Sequence, residues 1–387
     1  DRMTLNGAAG SVINAGGENT VTLKQFATTA SGAGTLLIDL GGSDAFTAGP
    51  PDSVTLGLED AELNTITASQ LTIGAIDGAN IDNTSPVSLT NVPTLLLVTD
   101  SAIDNTGGSI TVTNLAMDAD NGIGATNPIS TNVDNVSAYN YINGNIRITE
   151  AAGGVDLNIG SVAGIDGVHN SSGNVDVRTT DGTINVNQAV IANLVNTDII
   201  LDANTAGGNI ANIAIGADIY AADDVHLQAG NAITRTAGTV SGDQVFLDAA
   251  DSIGASGAEV YTDAATLGGQ VTAAGGFYVD ETDSVTIGQV NNLVGGGTFD
   301  GISTNSGIVV VRLVSGGATL TVVDNLGAAT IRTSDGTVRL EADEMTINTA
   351  GAQFAIDSGA SNVYLSPYTA GTDVDLGVAT PDAYGLE

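Results

Sequence analysis

"DVHLQA" occupies residues 224–229 and "QVFLDA" residues 244–249, and a shift of 20 lays one on the other. Val225, Leu227 and Ala229 alternate with polar neighbours, the two-residue period of a strand. The same shift carries Ile233 onto Ile253 and Val240 onto Val260. Elsewhere a shift of 29 lays Ile146, Ile148, Val155, Leu157 and Asn158 on Val175, Val177, Ile184, Val186 and Asn187. Alternating runs that recur every 20–29 residues predict an all-β chain built as a parallel β-solenoid. Each coil would hold three short strands of four to six residues, with apolar side chains stacked inward on the coil below. Further runs fit the pattern: "SITVTNL" (109–115), "NIRIT" (145–149) and "VDLNI" (155–159). Essentially no helix is expected; the one short helical stripe lies in "DAELNTITAS" (60–69).

A phrase written twice tests the corners. "VRTTDGTINV" (177–186) returns as "IRTSDGTVRL" (331–340), with Asp181 and Asp335 each followed by glycine. Asp-Gly between alternating runs is a turn signal, because glycine tolerates positive φ. The phrase reads as strand, corner, strand, with Asp181 and Asp335 as corner residues. A hairpin is the competing reading, but it does not generate the 20- and 29-residue registers.

Composition bounds the partners. The 387 residues include 44 acidic ones against eight basic, of which Lys24 is the only lysine, for a net charge of −36. A chain with no cationic track excludes nucleic acid and an anionic membrane surface. Apolar residues still make up 42%, so the charge does not signal disorder. The chain has no Trp and no Cys, which removes disulfides, thiolate metal sites and a Cys nucleophile together. No apolar stretch approaches the roughly 20 residues that cross a bilayer. The start, "DRMTLNGAAG", lacks the pattern of a signal peptide, so any export signal would lie outside this sequence.

A longer period joins the two ends. "DRMTLN" (1–6) aligns with "DEMTIN" (343–348), "LIDLG" (37–41) with "DVDLG" (373–377), and "PPDSVTLGLE" (50–59) with "PDAYGLE" (381–387). Residues 1–387 are therefore expected to form one continuous β-helical rod segment. It would contain one long repeat of about 330–340 residues, with 343–387 opening a second copy similar to 1–59. The phrases "NVYLSPYTAGTDVDLG" (362–377), "GLEDAELNTITASQLTIG" (57–74), "DIILDA" (198–203), "DVHLQAGNAI" (224–233) and "DQVFLDAADSIG" (243–254) carry a resemblance to a known family. In these the chain resembles the giant filamentous-haemagglutinin-like surface adhesins of Gram-negative bacteria, exported by two-partner or autotransporter routes. The resemblance implies a right-handed parallel β-helix in an extracellular stalk at the bacterial surface.

A few residues have the types and spacing that chemistry would need. "NTD" (Asn196, Thr197, Asp198), "DD" (Asp223, Asp224) and His226 are similar to the carboxylate cluster of polygalacturonase-like β-helical enzymes. If Ile199 and Val225 share a register, Asp198 and Asp224 stack, and two close carboxylates can divide acid and base roles. The Gly-His-Gly and Arg-Ile-Lys segments of those enzymes have no counterpart, and aromatic residues to stack on sugars are few. "GGSDAFTAG" (41–49) departs from the calcium nonapeptide, with Asp44 where glycine is required, and "DADNG" (118–122) lacks EF-hand spacing. Adventitious calcium at clustered acids stays open, with no ligand named. His169 reads as a loop residue and His226 as an outward strand residue between inward Val225 and Leu227; neither has a partner set for zinc. "NTS" (83–85) and "NSS" (170–172) match the glycosylation pattern, which Asn/Ser/Thr-rich loops generate freely.

No catalytic, cofactor-binding or metal-ligating residue is assigned, and no enzyme activity is expected. The expected role is a structural or adhesive segment of an extracellular filament. Its partners would be adjacent copies of the repeat, in the same chain or stacked head to tail, and cell-surface glycans or proteins. A self-assembling sheath or filament subunit and a β-helical polysaccharide lyase or hydrolase are the alternatives.

Overall fold

The computed structural model describes residues 13–24, 36–47, 53–76, 78–151, 153, 155–204, 210–323, 329–348, 354–371, 375–376 and 385–386. Among them the chain is all-β, and its single helix is the four-residue Asp60–Leu63 inside the stripe noted above. Two compact units divide it, the first mainly residues 1–182 and 186–194, the second mainly 195–387.

Parallel pairing dominates both units. In the first, Ile13–Leu23 pairs with Ile66–Ala75, which pairs with Thr94–Thr99, then Asn114–Ala119, then Asn135–Asn140. A second set in the same unit runs from Leu36–Leu40 to Asn80–Asn83 to Ile103–Asn105. In the second unit Ile199–Ala203 pairs with Asp224–Ala229, which pairs with Val240–Ala249. Phe277–Glu281, Val309–Leu313, Val338–Glu341 and Val363–Ser366 form another parallel series there. A strand followed by a parallel partner requires the chain to travel round and return, so the pairing is compatible with stacked coils.

The register at shift 20 appears residue for residue: Val225 beside Val245, Leu227 beside Leu247, Ala229 beside Ala249 and Ile233 beside Ile253. Beyond Ile253 it slips, and Val240 lies beside Thr262 instead of Val260. The two extra residues are taken up in a tight turn where Ala255 bridges Ala258. The 29-residue register likewise holds for Ile146 with Val175 and Ile148 with Val177. It fails past the corner, because the carbonyl of Ile159 accepts from the amide of Asn187 at 2.9 Å and so places Ile159, not Leu157, beside Val186. The corner after Glu150 is two residues longer than the one after Thr179. Strands are also less uniform than expected, reaching 12 residues in Val260–Val271.

Inward columns are dry. Leu201, Leu227 and Leu247 follow one another in register and are fully buried, as are Phe277, Val309 and Val338. The last inward position of many strands is polar. Asn140 and Asn170 are adjacent in register, and the Asn140 side-chain amide donates to Asn170 Oδ1 at 2.9 Å and to the carbonyls of Asn143 and Gly144. Its oxygen accepts from the amide of Gly122 at 2.7 Å. Thr304 and Thr333, also adjacent, each donate a hydroxyl to the carbonyl three residues on, Gly307 and Gly336, at 2.6 Å. These side chains satisfy corner backbone groups that no ladder reaches.

The doubled phrase is a corner in both copies. Val175–Thr179 pairs in parallel with Ile146–Glu150, and Val338–Glu341 with Val309–Leu313, so neither Asp-Gly closes a hairpin. Its glycines serve a different purpose from the one expected. Neither Gly182 nor Gly336 has a positive φ. A Cβ at Gly182 would sit 1.9 Å from the carbonyl oxygen of Val155, and one at Gly336 1.9 Å from that of Gly307. Close passage of one corner over the next, not backbone handedness, demands glycine.

Three substitutions test these statements by thermal unfolding. Leu227→Asp places a charge in a dry column and should cost several kcal/mol; an unchanged Tm would contradict the register. Gly336→Ala should cost about 1–3 kcal/mol by overpacking, whereas Gly160→Ala, where a Cβ meets nothing within 4 Å, should be close to neutral. Equal effects at the two glycines would remove the close-approach explanation.

Candidate functional site

The carboxylate and histidine cluster singled out in the sequence lies in the second unit. Ile199 sits beside Val225, so Asp198 and Asp224 are neighbours, and the Asp224 amide reaches Asp198 Oδ1 at 3.4 Å. Alternation turns Asp224 and His226 away from the core side occupied by Val225 and Leu227. Both are nonetheless buried, Asp224 at 4% exposure and His226 at 0%. His226 thus faces outward between inward Val225 and Leu227, as expected, but it is covered and not in solvent.

The cover is an antiparallel hairpin, Gln289–Asn291 with Thr298–Asp300, that lies back over these strands. The Asn291 side-chain amide donates to Asp224 Oδ2 at 2.7 Å, and its backbone amide donates to Gln244 Oε1 at 2.9 Å. The amide of Val294 donates to His226 Nδ1 at 3.3 Å, so the imidazole presents that nitrogen as an acceptor. Phe246 completes the layer, its ring 4.6 Å from His226 and 5.0 Å from Phe299. Burial raises the Asp224 pKa above the ordinary carboxylate value, Asn291 opposes the shift, and Asp223, Asp198 and Asp243 add to it. Asp224 Oδ1 is buried with no hydrogen-bond partner. The hairpin fills the face from which a sugar would approach Asp224, and an acid or base must reach the atom it serves.

His169, expected in a loop, belongs to the strand Val168–Asn170 and packs 5.7 Å from Tyr139. Burial lowers its pKa. Asp44 accepts from the amide of Gly57 at 3.0 Å. Asp118 lies in the strand Asn114–Ala119, one residue before its end. Asp181 accepts from the amide of Gly153 and Asp335 from that of Ala360, both at 3.0 Å.

Three acidic arrangements escaped the sequence reading. Asp39, Asp82 and Asp104 stack in successive registers, and burial followed by the Asp82 charge raises the pKa of Asp39 and Asp104 against the pull of hydrogen bonds. Thr84 donates to Asp39 and Thr106 to Asp82, each from just past the end of the next strand in register. The second arrangement is a buried glutamate that appears twice. Glu150 accepts from the Thr131 hydroxyl at 2.6 Å and the Val133 amide at 3.0 Å; Glu281 accepts from the Thr262 hydroxyl at 2.6 Å and the Ala264 amide at 3.2 Å. The sequence separations, 19 and 17 residues, are the same in both. Third, Asp263, Glu281 and Asp283 bring one oxygen each within 4.8 Å of one another. Such oxygens suit a hard cation, but Glu281 is already committed to Thr262, Ala264 and Thr282. Strand parity was the available signal for the glutamates: Ile146, Ile148 and Glu150 share one face, as do Phe277, Val279 and Glu281.

Cations are spent as pins on outward acids. Arg312 grips Asp280 with both ends of its fork, at 2.9 and 2.5 Å, and Arg178 meets Asp176 at 2.6 Å. Arg235 lies over the Tyr261 ring at 3.7 Å. No described helix is long and apolar enough to cross a membrane. No family model matches the chain, and neither a curated protein nor a solved structure matches it.

Buried carboxylates give the fold a definite pH response. Burial pushes Glu281 from 4.5 up to about 7 and Asp248 from 3.8 up to about 6. The folded chain then holds protons that the unfolded chain releases until pH falls to about 4, so stability rises as pH drops from 7.5 to 5. Glu281→Gln should flatten the rise by up to roughly 3 kcal/mol. A Tm that falls over this range, or a slope unchanged by Glu281→Gln, would contradict the buried charge.

Proposed function

We propose that the chain is a structural segment of an extracellular β-solenoid filament, right-handed and built from tandem copies, that carries attachment functions away from a bacterial surface. The supporting observation is the in-register parallel pairing of both units, with dry columns inside and acids outside. A scaffold of this kind lengthens by adding coils without a new core design. Repulsion between acidic exteriors keeps neighbouring fibres apart and discourages lateral strand pairing.

Two further points support this reading. Asp39 pairs with Gly57 and Leu40 with Leu58; at the aligned positions Asp375 pairs with Gly385 and Leu376 with Leu386. The two aligned stretches thus make the same backbone pairing, as copies of one repeat would. The carboxylates that most invite an enzymatic reading include Asp224, which is capped by Asn291 under a hairpin.

Chains carrying one, two and three tandem copies should appear in negative-stain electron microscopy as rods of constant width. Their length should grow by an equal step per copy. Beads of unchanged length, or release of reducing ends from polysaccharides that Asp224→Asn abolishes, would overturn the proposal.

A further inference from the structure

The parallel series in the second unit ends on Val363–Ser366, which pairs with Val338–Glu341; Ile356–Asp357 pairs likewise with Ile331–Arg332. Among the described residues no strand pairs with their other edge. The inward column shows the consequence: Val338 is 0% exposed, but Val363, next in register, is 41% exposed. Tyr364 and Tyr368 beside it are also exposed. Such an apolar strand edge is a template for another strand.

The first stretch of the chain indicates which strand. "TVTL" (20–23) aligns with "NVYL" (362–365) at the shift that relates "DRMTLN" to "DEMTIN", and Ile13-Asn14 aligns with Ile356-Asp357 one residue further. Ile13–Leu23 is therefore the counterpart of Ile356–Leu365, and there the edge is filled. Ile66–Ala75 covers it with Ile13 beside Ile66, Val21 beside Leu71, Thr22 beside Thr72 and Leu23 beside Ile73. Leu23 is buried by that cover at 5% exposure.

We propose that the edge formed by Ile356–Asp357 and Val363–Ser366 receives the strand Ile66–Ala75 of a following copy. The register is Ile356 with Ile66, Val363 with Leu71, Tyr364 with Thr72 and Leu365 with Ile73. This rests on the filament reading and specifies its junction. The hand-over needs no new surface, because the second copy's Asp375–Leu376 and Gly385–Leu386 already make the pairing that precedes Ile66 in the first. The junction buries Val363 as Val338 is buried and leaves Tyr364 on the outer face.

Because the chain has no Cys, one engineered pair reports the register. In a two-copy chain whose Glu387 is followed by Asp60 of the second copy, Tyr364→Cys and the second copy's Thr72→Cys should form a disulfide on mild oxidation. The yield should be at least tenfold above that of Tyr364→Cys with the second copy's Gln70→Cys. Thr22→Cys with Thr72→Cys inside the single chain reports that the fold is intact. Preferential linkage at Gln70, or between separate chains carrying Tyr364→Cys and Thr22→Cys, overturns the register while the control pair still forms. Rods that lengthen per copy without the Thr72 linkage leave the filament reading standing and remove this junction. Failure of both removes the two together.

Discussion

A strand that pairs in parallel with its predecessor must be reached by a full circuit, so the chain has to turn a corner every few residues beside a dry interior. Corner amides and carbonyls have no ladder to join, and leaving one buried and unmet costs about 1–3 kcal/mol. The solution here is local and recurrent. The final inward side chain of several strands is polar, and it bonds either the corner that follows or backbone groups earlier in the chain. Asn140 meets Gly122, Asn143 and Gly144; Thr304 and Thr333 meet Gly307 and Gly336; Glu150 and Glu281 meet amides of Val133 and Ala264. Glycine at the corner lets the next turn pass close by. Apolar stacking supplies the driving force, and these bonds satisfy backbone groups that the strand ladders leave unmet.

Parallel register has a second effect, because it aligns like with like. Equal side chains in successive strands stack, which suits leucine and isoleucine and strains aspartate. In the Asp39, Asp82 and Asp104 ladder, threonine hydroxyls meet Asp39 and Asp82, and burial with the Asp82 charge raises the proton affinity of Asp39 and Asp104. Where an arginine falls next in register it grips the acid, as Arg312 does Asp280. Cations are few, and among the described residues Arg178 and Arg312 are placed against the outward acids Asp176 and Asp280.

Much of the strand pairing was legible because the return distance between parallel partners writes itself into the spacing of Val, Leu and Ile. The shift of 20 around Val225 and Val245 succeeded since that distance stays constant up to Ile253. The shift of 29 failed after Glu150, where a corner grows by two residues and the apolar spacing alone cannot say on which side of the corner the count changes. The burial of outward His226 was not legible for a different reason: its cover comes from a hairpin 68 residues later, and periodicity carries no information about an excursion that folds back. The buried glutamates were readable from parity, but a charge at a strand end looks like a solvated terminus unless the face it occupies is counted.

All of these inferences depend on strands stacking coil upon coil and not doubling back across their turns. Methyl-resolved NOE spectroscopy on the perdeuterated chain distinguishes the two directly. The account predicts contacts from Leu227 methyls to those of Leu201 and Leu247, and from Val177 to Ile148. Contacts linking Val177 to Ile184 across "TTDGT", with none from Leu227 to its two registered neighbours, would show hairpins in place of stacked parallel strands and contradict it.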